Sequence, residues 1–338
     1  MHRQRILVTG GAGFIGSELV RQLAALGHRV VVVDNLVNGR RENLDGILGA
    51  DFELIVGDIR DRGLISSVVA DADVVFHLAC LGVRHSIHSP VENHEVNASG
   101  TLALLNAARD ASVKRFVYVS SSEVYGTAQT VPITEEHPTQ PMTVYGASKL
   151  AGESYTRAFH KTYKFPTVVV RPFNSYGPRS HHEGDSGEVI PKFLLRCMAG
   201  KPMIIFGDGT QTRDFTYVGD TARGILSAGF SDACIGETIN LGSRKEISIL
   251  ELASTIATLF GRTDAEIIHT DPRPGDVLRL VSDNAKARNL LAVEPEVTFA
   301  DGLARLRDWY LGQPLTPHEM LQQEVERNWE GRDVPSHA

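Results

Sequence analysis

The sequence predicts an α/β fold: a Rossmann-like, doubly wound parallel sheet over residues 1–171, followed by a smaller mixed α/β domain. Three observations predict it. Apolar runs alternate with helical patterns through the first half of the 338 residues, as successive β-α-β units do. The runs are apolar at consecutive positions, which marks strands buried on both faces. The first turn, TGGAGFIG at 9–16, joins a strand directly to a helix through closely spaced glycines.

Taken in order, RILVTG (5–10) is the first strand, and FIGSELVRQLAALG (14–27) is a helix closed by a glycine cap. RVVVVDN (29–35) and FELIVGDI (52–59) are strands, RGLISSVVA (62–70) a helix and DVVFHLA (73–79) a strand. EVNASGTLALLNAARDA (95–111) is a helix and RFVYVSS (115–121) a strand. TVYGASKLAGE (143–153) opens a helix reaching about Tyr163, and TVVVRPFN (167–174) is one more strand. After Arg171 the texture changes, beginning with the polar, glycine-rich stretch at 174–189. Residues 172–315 read mainly as the second domain, with segments near 215–245 expected to return to the first. From Gln313 the chain turns charged, and residues 316–338 read as a frayed tail.

The apolar fraction of 42% supplies a sizeable core, and the net charge of −7 without any lysine-arginine run argues against a nucleic-acid partner. The longest apolar runs are strand-length, so no membrane span is expected. The N-terminus enters a strand almost at once, leaving no room for a signal peptide. Cys80, Cys197 and Cys234 show no CxxC spacing, which points to a reducing, cytoplasmic setting. Neither HHEGD (181–185) nor the set His77, His85, His88 and His94 has the ligand spacing of a metal site, so no metal is expected.

Gly11, Gly13 and Gly16 satisfy GxGxxG, and Gly10, Gly13 and Gly16 equally satisfy GxxGxxG. Such a turn, with Phe14 and Ile15 opening the helix, lets backbone N–H groups approach a pyrophosphate. Asp34, with Asn35 beside it, ends the second strand. A carboxylate there accepts from a ribose 2′-hydroxyl and repels a 2′-phosphate, so NAD is expected over NADP. Arg40 and Arg41 read as solvated loop charges. Asp58 and Ile59, in GDIRD (57–61), sit where an adenine could be flanked, though spacing alone leaves an ordinary polar strand end equally open. Tyr145 and Lys149 stand four apart, on one face of their helix.

In order along the chain, TGGAGFIG, GDIRD, HLA (77–79), VNASGT (96–101), SSSEVYG (120–126), YGASK (145–149) and RPFNSYGP (171–178) resemble the extended short-chain dehydrogenase/reductases that act on nucleotide sugars. The resemblance runs to about residue 310. It implies NAD as cofactor, a nucleoside-diphosphate sugar as substrate, and a homodimer through the helices at 99–110 and 146–162. It implies Tyr145 as the acid/base of hydride transfer, supported by Lys149. A phenol with a pKa of about 10 is a poor base at neutral pH, and a nearby ammonium and the positive nicotinamide ring both favour the phenolate. Ser121 would hydrogen-bond the sugar's 4-oxygen. Leu78, Ala79 and Asn97 fall along the cofactor; Asn97 stays open between holding the active-site backbone and capping a helix. Asn174, Arg213 and Arg273 would grip the diphosphate.

The family's shared step removes hydride from C4, and the 4-keto sugar then meets one of several fates. Glu123, after Ser121 and Ser122, is placed to take the C5 proton that the ketone acidifies. The expectation is therefore an NDP-hexose 4,6-dehydratase, with an NDP-N-acetylhexosamine as a further substrate class suggested by SEVYGTAQTVPITEEHP (122–138). Ser122 departs from the Asp of the dTDP-glucose dehydratases. PRPGDV (272–277) resembles a segment of 4-epimerases, so a 4-epimerase of UDP-glucose, UDP-GlcNAc or UDP-glucuronate is the alternative, and a UDP-glucuronate decarboxylase comes next. A dinucleotide-sensing binding protein is the non-enzyme reading; it should have lost Tyr145 or Lys149.

Overall fold

The computed structural model describes residues 3–47, 51–184, 186–262, 264–272 and 277–328. Six strands come from the first half of the chain: β1 Arg5–Thr9, β2 Arg29–Asp34, β3 Phe52–Val56, β4 Val74–His77, β5 Arg115–Val119 and β6 Thr167–Pro172. With the later strand Thr238–Leu241 they form a seven-stranded sheet. Its order is β3-β2-β1-β4-β5-β6 and then Thr238–Leu241, every pair parallel. The order reverses between β1 and β4, paired with Thr9 opposite His77, and the crevice beyond their C-terminal ends is where a doubly wound sheet receives ligands.

The helices of this half are α1 Phe14–Ala25, α2 Arg62–Val69, α3 Val83–His88, α4 Pro90–His94, α5 Thr101–Asp110 and α6 Val144–Tyr163. Alternate residues of each strand feed opposite faces. Ile6, Val8, Val30 and Val32 pack with Leu19 and Val20 of α1 and with Ile225 of the later helix Val218–Phe230. Leu7, Val31 and Val33 pack on the other side with Val68 of α2 and Leu104 and Leu105 of α5. Each strand has two apolar faces because each face meets a helical layer. A third core joins the helices Val189–Met198, Ile249–Leu259 and Phe299–Leu311 through Phe193, Leu194, Leu252, Ile256, Leu303 and Leu306.

Three elements differ from the sequence reading. The helix expected over 95–111 begins at Pro90, a residue whose fixed φ suits a first helical turn, and passes through a π-helical segment, Glu95–Gly100, before α5. The short helix α3 was not foreseen, because VRHSIH carries no apolar period. The segment after Gln313 is not frayed up to residue 328. Thr316 and Glu319 form a reciprocal capping box for the helix Pro317–Leu321, and Met320 and Leu321 are buried in the third core. Burying side chains of that size contributes about 1.5–3 kcal/mol each, enough to hold a short helix in place.

Candidate active site

A cavity of about 1020 Å3 runs along the C-terminal ends of the strands. Gly10, Gly13, Phe14, Ile15 and Gly16 form one wall. Gly10 has φ +71°, and a Cβ on Gly16 would stand 2.1 Å from the Gly10 carbonyl oxygen, so side chains are excluded where the backbone folds on itself. Gly13 caps α1 without a side chain, and the first turn carries no acid, so the helix N-terminus faces the cavity with its N–H groups unclaimed by a capping side chain. Asp34 is buried beside this turn. Its carboxylate accepts from Ala12 N at 3.0 Å and Leu36 N at 2.9 Å. Burial raises its pKa, and these two bonds oppose the rise. Asn35, Asp58, Ile59, Leu78 and Ala79 continue the wall. Asp58 is held ionised chiefly by Arg60, and Asn35 donates to it at 3.3 Å. A side-chain-free cradle at a helix N-terminus, an acid beyond it and apolar flanks fit a dinucleotide with a free ribose 2′-hydroxyl.

Farther along the wall stand Ser121, Ser122, Glu123, Tyr145 and Lys149. Ser121 leaves the end of β5 and caps the 3-10 turn Ser122–Val124, its hydroxyl accepting from Glu123 N at 3.2 Å. Thr143 caps α6 by accepting from Gly146 N at 3.0 Å, which starts the helix just before Tyr145. On α6, a Cβ at Gly152 would meet the Tyr118 hydroxyl at 2.3 Å, so the helix lies tight against β5. Lys149 is 2% exposed and donates to the Val119 carbonyl at 2.6 Å, with its ammonium 4.8 Å from the centre of the Tyr118 ring.

The Tyr145 phenol is pushed well above its ordinary pKa, first by burial and then by the Cys80 sulfur; the Ser121 hydroxyl bonded to it opposes the rise and the Glu123 carboxylate adds to it. Burial lowers the pKa of Lys149, with Cys80 and Glu153 opposing. Burial is thus the largest influence on both groups.

Asn97 does not reach the cavity and caps no helix. It lies in the π-helical segment, where its amide accepts from Leu81 N at 2.8 Å and donates to Leu81 O at 2.9 Å and to Ser148 Oγ at 3.0 Å. It clasps the loop after β4 to α6. His77, one of the histidines weighed as a metal ligand, is buried between the Thr9 and Thr101 hydroxyls at 2.7 and 2.9 Å, and burial drops its pKa to about 3, so it stays neutral. Asn174 lines the cavity with its buried Oδ1 lacking a hydrogen-bond partner. Arg213 also lines it, braced by bonds to the carbonyls of Thr212 (2.8 Å) and Val277 (2.6 Å). Arg273 and the rest of its RPGD segment lie outside the described residues, as does Asp185 of HHEGD. Arg40 is not merely solvated: it pairs with Glu183 at 2.7 Å. Among the described residues, no group of three or more His, Cys, Asp and Glu could hold a metal ion.

Sequence reasoning missed one stretch of the wall. Arg84, Glu188, Lys192, Arg196, Glu324 and Asn328 all line the cavity. Asn328, 2% exposed, accepts from Arg84 Nε at 3.2 Å and donates to Gly187 O at 3.1 Å, so it bridges α3 and the start of the second domain. Lys192 donates to Val325 O at 2.7 Å, and burial lowers its pKa to about 8. Burial pushes Glu188 up to about 7. Nothing in QQEVERN (322–328) distinguishes it from a solvated tail.

A family model described as the NAD dependent epimerase/dehydratase family matches residues 6–242. A UDP-glucose 4-epimerase from Mycolicibacterium smegmatis is 40% identical, over 90% of this chain and 98% of that protein. A dTDP-glucose 4,6-dehydratase from Streptomyces niveus is 37% identical, over 90% of this chain and 92% of that protein. The structure of DesIV, a dTDP-glucose 4,6-dehydratase from Streptomyces venezuelae with NAD bound, superposes with a TM-score of 0.84 at 36% identity, covering 91% of this chain and 97% of that one.

Proposed function

The chain belongs to the NAD-dependent epimerase/dehydratase family, and on that premise we propose that it converts a nucleoside-diphosphate hexose, with NDP-N-acetylhexosamines included, to a 4-keto-6-deoxy sugar. The observation that carries this reading is Glu123, a carboxylate on the cavity wall close enough to Tyr145 to raise the phenol's pKa. A simple inversion at C4 has no use for a second acid at that place; elimination across C5–C6 does.

The glycine turn and Asp34 hold the dinucleotide, and Lys149 steadies the nicotinamide ribose. Bound NAD supplies a hydride acceptor at the sugar's C4 and a positive charge beside the phenol. Ser121 donates to the 4-oxygen while Tyr145 takes the hydroxyl proton. Burial makes that phenol a weak acid on its own, so Tyr145 serves as base only while cationic charge stands next to it, which ties proton removal to the loaded state. Glu123 then removes the C5 proton and passes it to the C6 hydroxyl, which leaves as water; bound NADH would supply the hydride for C6, and the proton that Tyr145 took from the 4-hydroxyl, given up to solvent, balances the one that C5 regains from solvent. The cycle is redox-neutral. Ser122, buried and without a carboxyl, takes no part as an acid. Asn174 and Arg213 bind the diphosphate, with Arg273 as a third contact. Two such enzymes pair through α5 and α6, whose outer residues Leu102 and Tyr163 are exposed.

A second reading, 4-epimerisation, is supported by that same Ser122, since only one of the two dehydratase acids is present, and by the relationship to the mycolicibacterial epimerase. Incubation with UDP-, dTDP- and GDP-hexoses, read by mass and proton NMR, tests the proposal. Dehydration gives a product lighter by one water; epimerisation gives an equal mass with C4 inverted.

A further inference from the structure

Behind the cavity wall lies a polar network centred on the buried Glu153 and Arg171, which reaches the cavity only through Ser120 and solvent only through Arg157. Glu153 is fully buried on α6, one turn beyond Lys149. Its carboxylate accepts from Arg171 Nε at 2.8 Å and Nη2 at 2.7 Å, a two-pronged pair, and from Arg157 at 2.7 Å. The Ser120 hydroxyl donates to it at 2.6 Å. Arg171, near the end of β6, also donates to the Tyr125 hydroxyl at 2.8 Å and lies 4.7 Å from the centre of that ring. Tyr125 in turn donates to Asn240 Oδ1 at 2.7 Å, on the sheet's outermost strand.

Taking a carboxylate and a guanidinium out of water is costly, and well-packed apolar residues in their place are often as stable. What the pair provides here is direction. Ser120 immediately precedes Ser121, and Tyr125 follows Glu123 by two residues. The network therefore grips the segment Ser121–Glu123 at both ends and ties both ends to the helix that carries Tyr145. None of its charged groups lines the cavity.

We propose that Glu153, Arg171 and Tyr125 are positioning residues that fix Ser121 and Glu123 against Tyr145. The inference rests on the reaction centre assigned above. Arg171 must be arginine, because only the planar fork reaches both carboxylate oxygens and the phenol together.

The test uses the full chain with NAD and the nucleotide sugar found by the panel above, in Tyr125→Phe and Arg171→Lys. In both, kcat falls at least about tenfold while KM stays within about twofold, since a misplacement on the order of 1 Å costs up to about a hundredfold in rate without removing a substrate contact. Amide hydrogen exchange over residues 120–126 rises by at least about tenfold with that over α6 unchanged, which a general loss of stability would not produce. Folded variants with wild-type kcat, or with wild-type exchange over 120–126, overturn the proposal. Should Arg171→Lys fail to fold, Tyr125→Phe, which removes one oxygen, decides alone. A wild-type chain that turns over no nucleotide sugar sinks the functional reading, and the exchange measurement still decides the clamp.

Discussion

The Lys149 ammonium donates to the Val119 carbonyl at 2.6 Å, so the helix that carries Tyr145 is pinned to the strand end that carries Ser121. The lysine is thus a structural bracket as well as a charge. Lys149→Met leaves that buried carbonyl unpaired and lowers stability by about 1–3 kcal/mol, read by denaturant unfolding. Tyr145→Phe leaves the bracket intact, keeps wild-type unfolding and NAD binding, and lowers turnover by at least about a hundredfold. An unchanged rate removes Tyr145 from the chemistry.

Cofactor preference follows from Asp34. Its carboxylate is already held by the N–H groups of Ala12 and Leu36 and lies on the cavity wall, where a 2′-phosphate would meet it. Calorimetric titration should show NAD binding at least about tenfold more tightly than NADP. Equal affinities would show that the acid does not discriminate. Gly16→Ala, whose Cβ meets the Gly10 oxygen at 2.1 Å, should abolish NAD binding.

Stability should depend on pH through two glutamates near the cavity mouth. Glu188 faces His181, Arg84 and Glu183, and burial raises it to about 7. The unfolded chain ionises this group near pH 4.3 and the folded chain does not, so its cost grows between there and about 7 and is complete above. Glu188→Gln should raise Tm at pH 8 and leave it unchanged at pH 4. Glu183 behaves oppositely. Though burial opposes it, the hydrogen bond and charge of His181 hold it at about 2, so its contribution is present above about pH 4.3 and fades as pH falls towards 2. Glu183→Gln should lower Tm at pH 6 far more than at pH 2.

The C-terminal segment is predicted to matter to substrate rather than cofactor. Asn328 joins Arg84 to Gly187 across the cavity wall. Asn328→Ala should raise KM for the nucleotide sugar several-fold, about the worth of one or two buried hydrogen bonds, with NAD affinity unchanged. A chain ended after residue 322 should do the same more severely. Wild-type KM in both would leave the segment as packing alone.

The sheet was legible because its physics is local. Continuous apolar strands, a glycine turn and an acid at the end of β2 each report a constraint that neighbours in sequence impose. Ser121, Glu123, Tyr145 and Lys149 all line the cavity. Asn97 instead holds the Leu81 backbone beside the cavity, the first of its two sequence readings, through partners that only the folded chain brings near. The direction of the Tyr145 shift was likewise illegible: it depends on burial and on Cys80, which is far from Tyr145 in sequence. Glu324 and Asn328 carry no pattern at all, and only the docking of Met320 and Leu321 brings them to the cavity.

The most direct test of the whole account is turnover in deuterium oxide with the best nucleotide sugar, followed by mass and proton NMR. Glu123 acting on C5 predicts a product that has lost one water and carries solvent deuterium at C5. A product of unchanged elemental composition, inverted at C4 and free of deuterium on carbon, would contradict it.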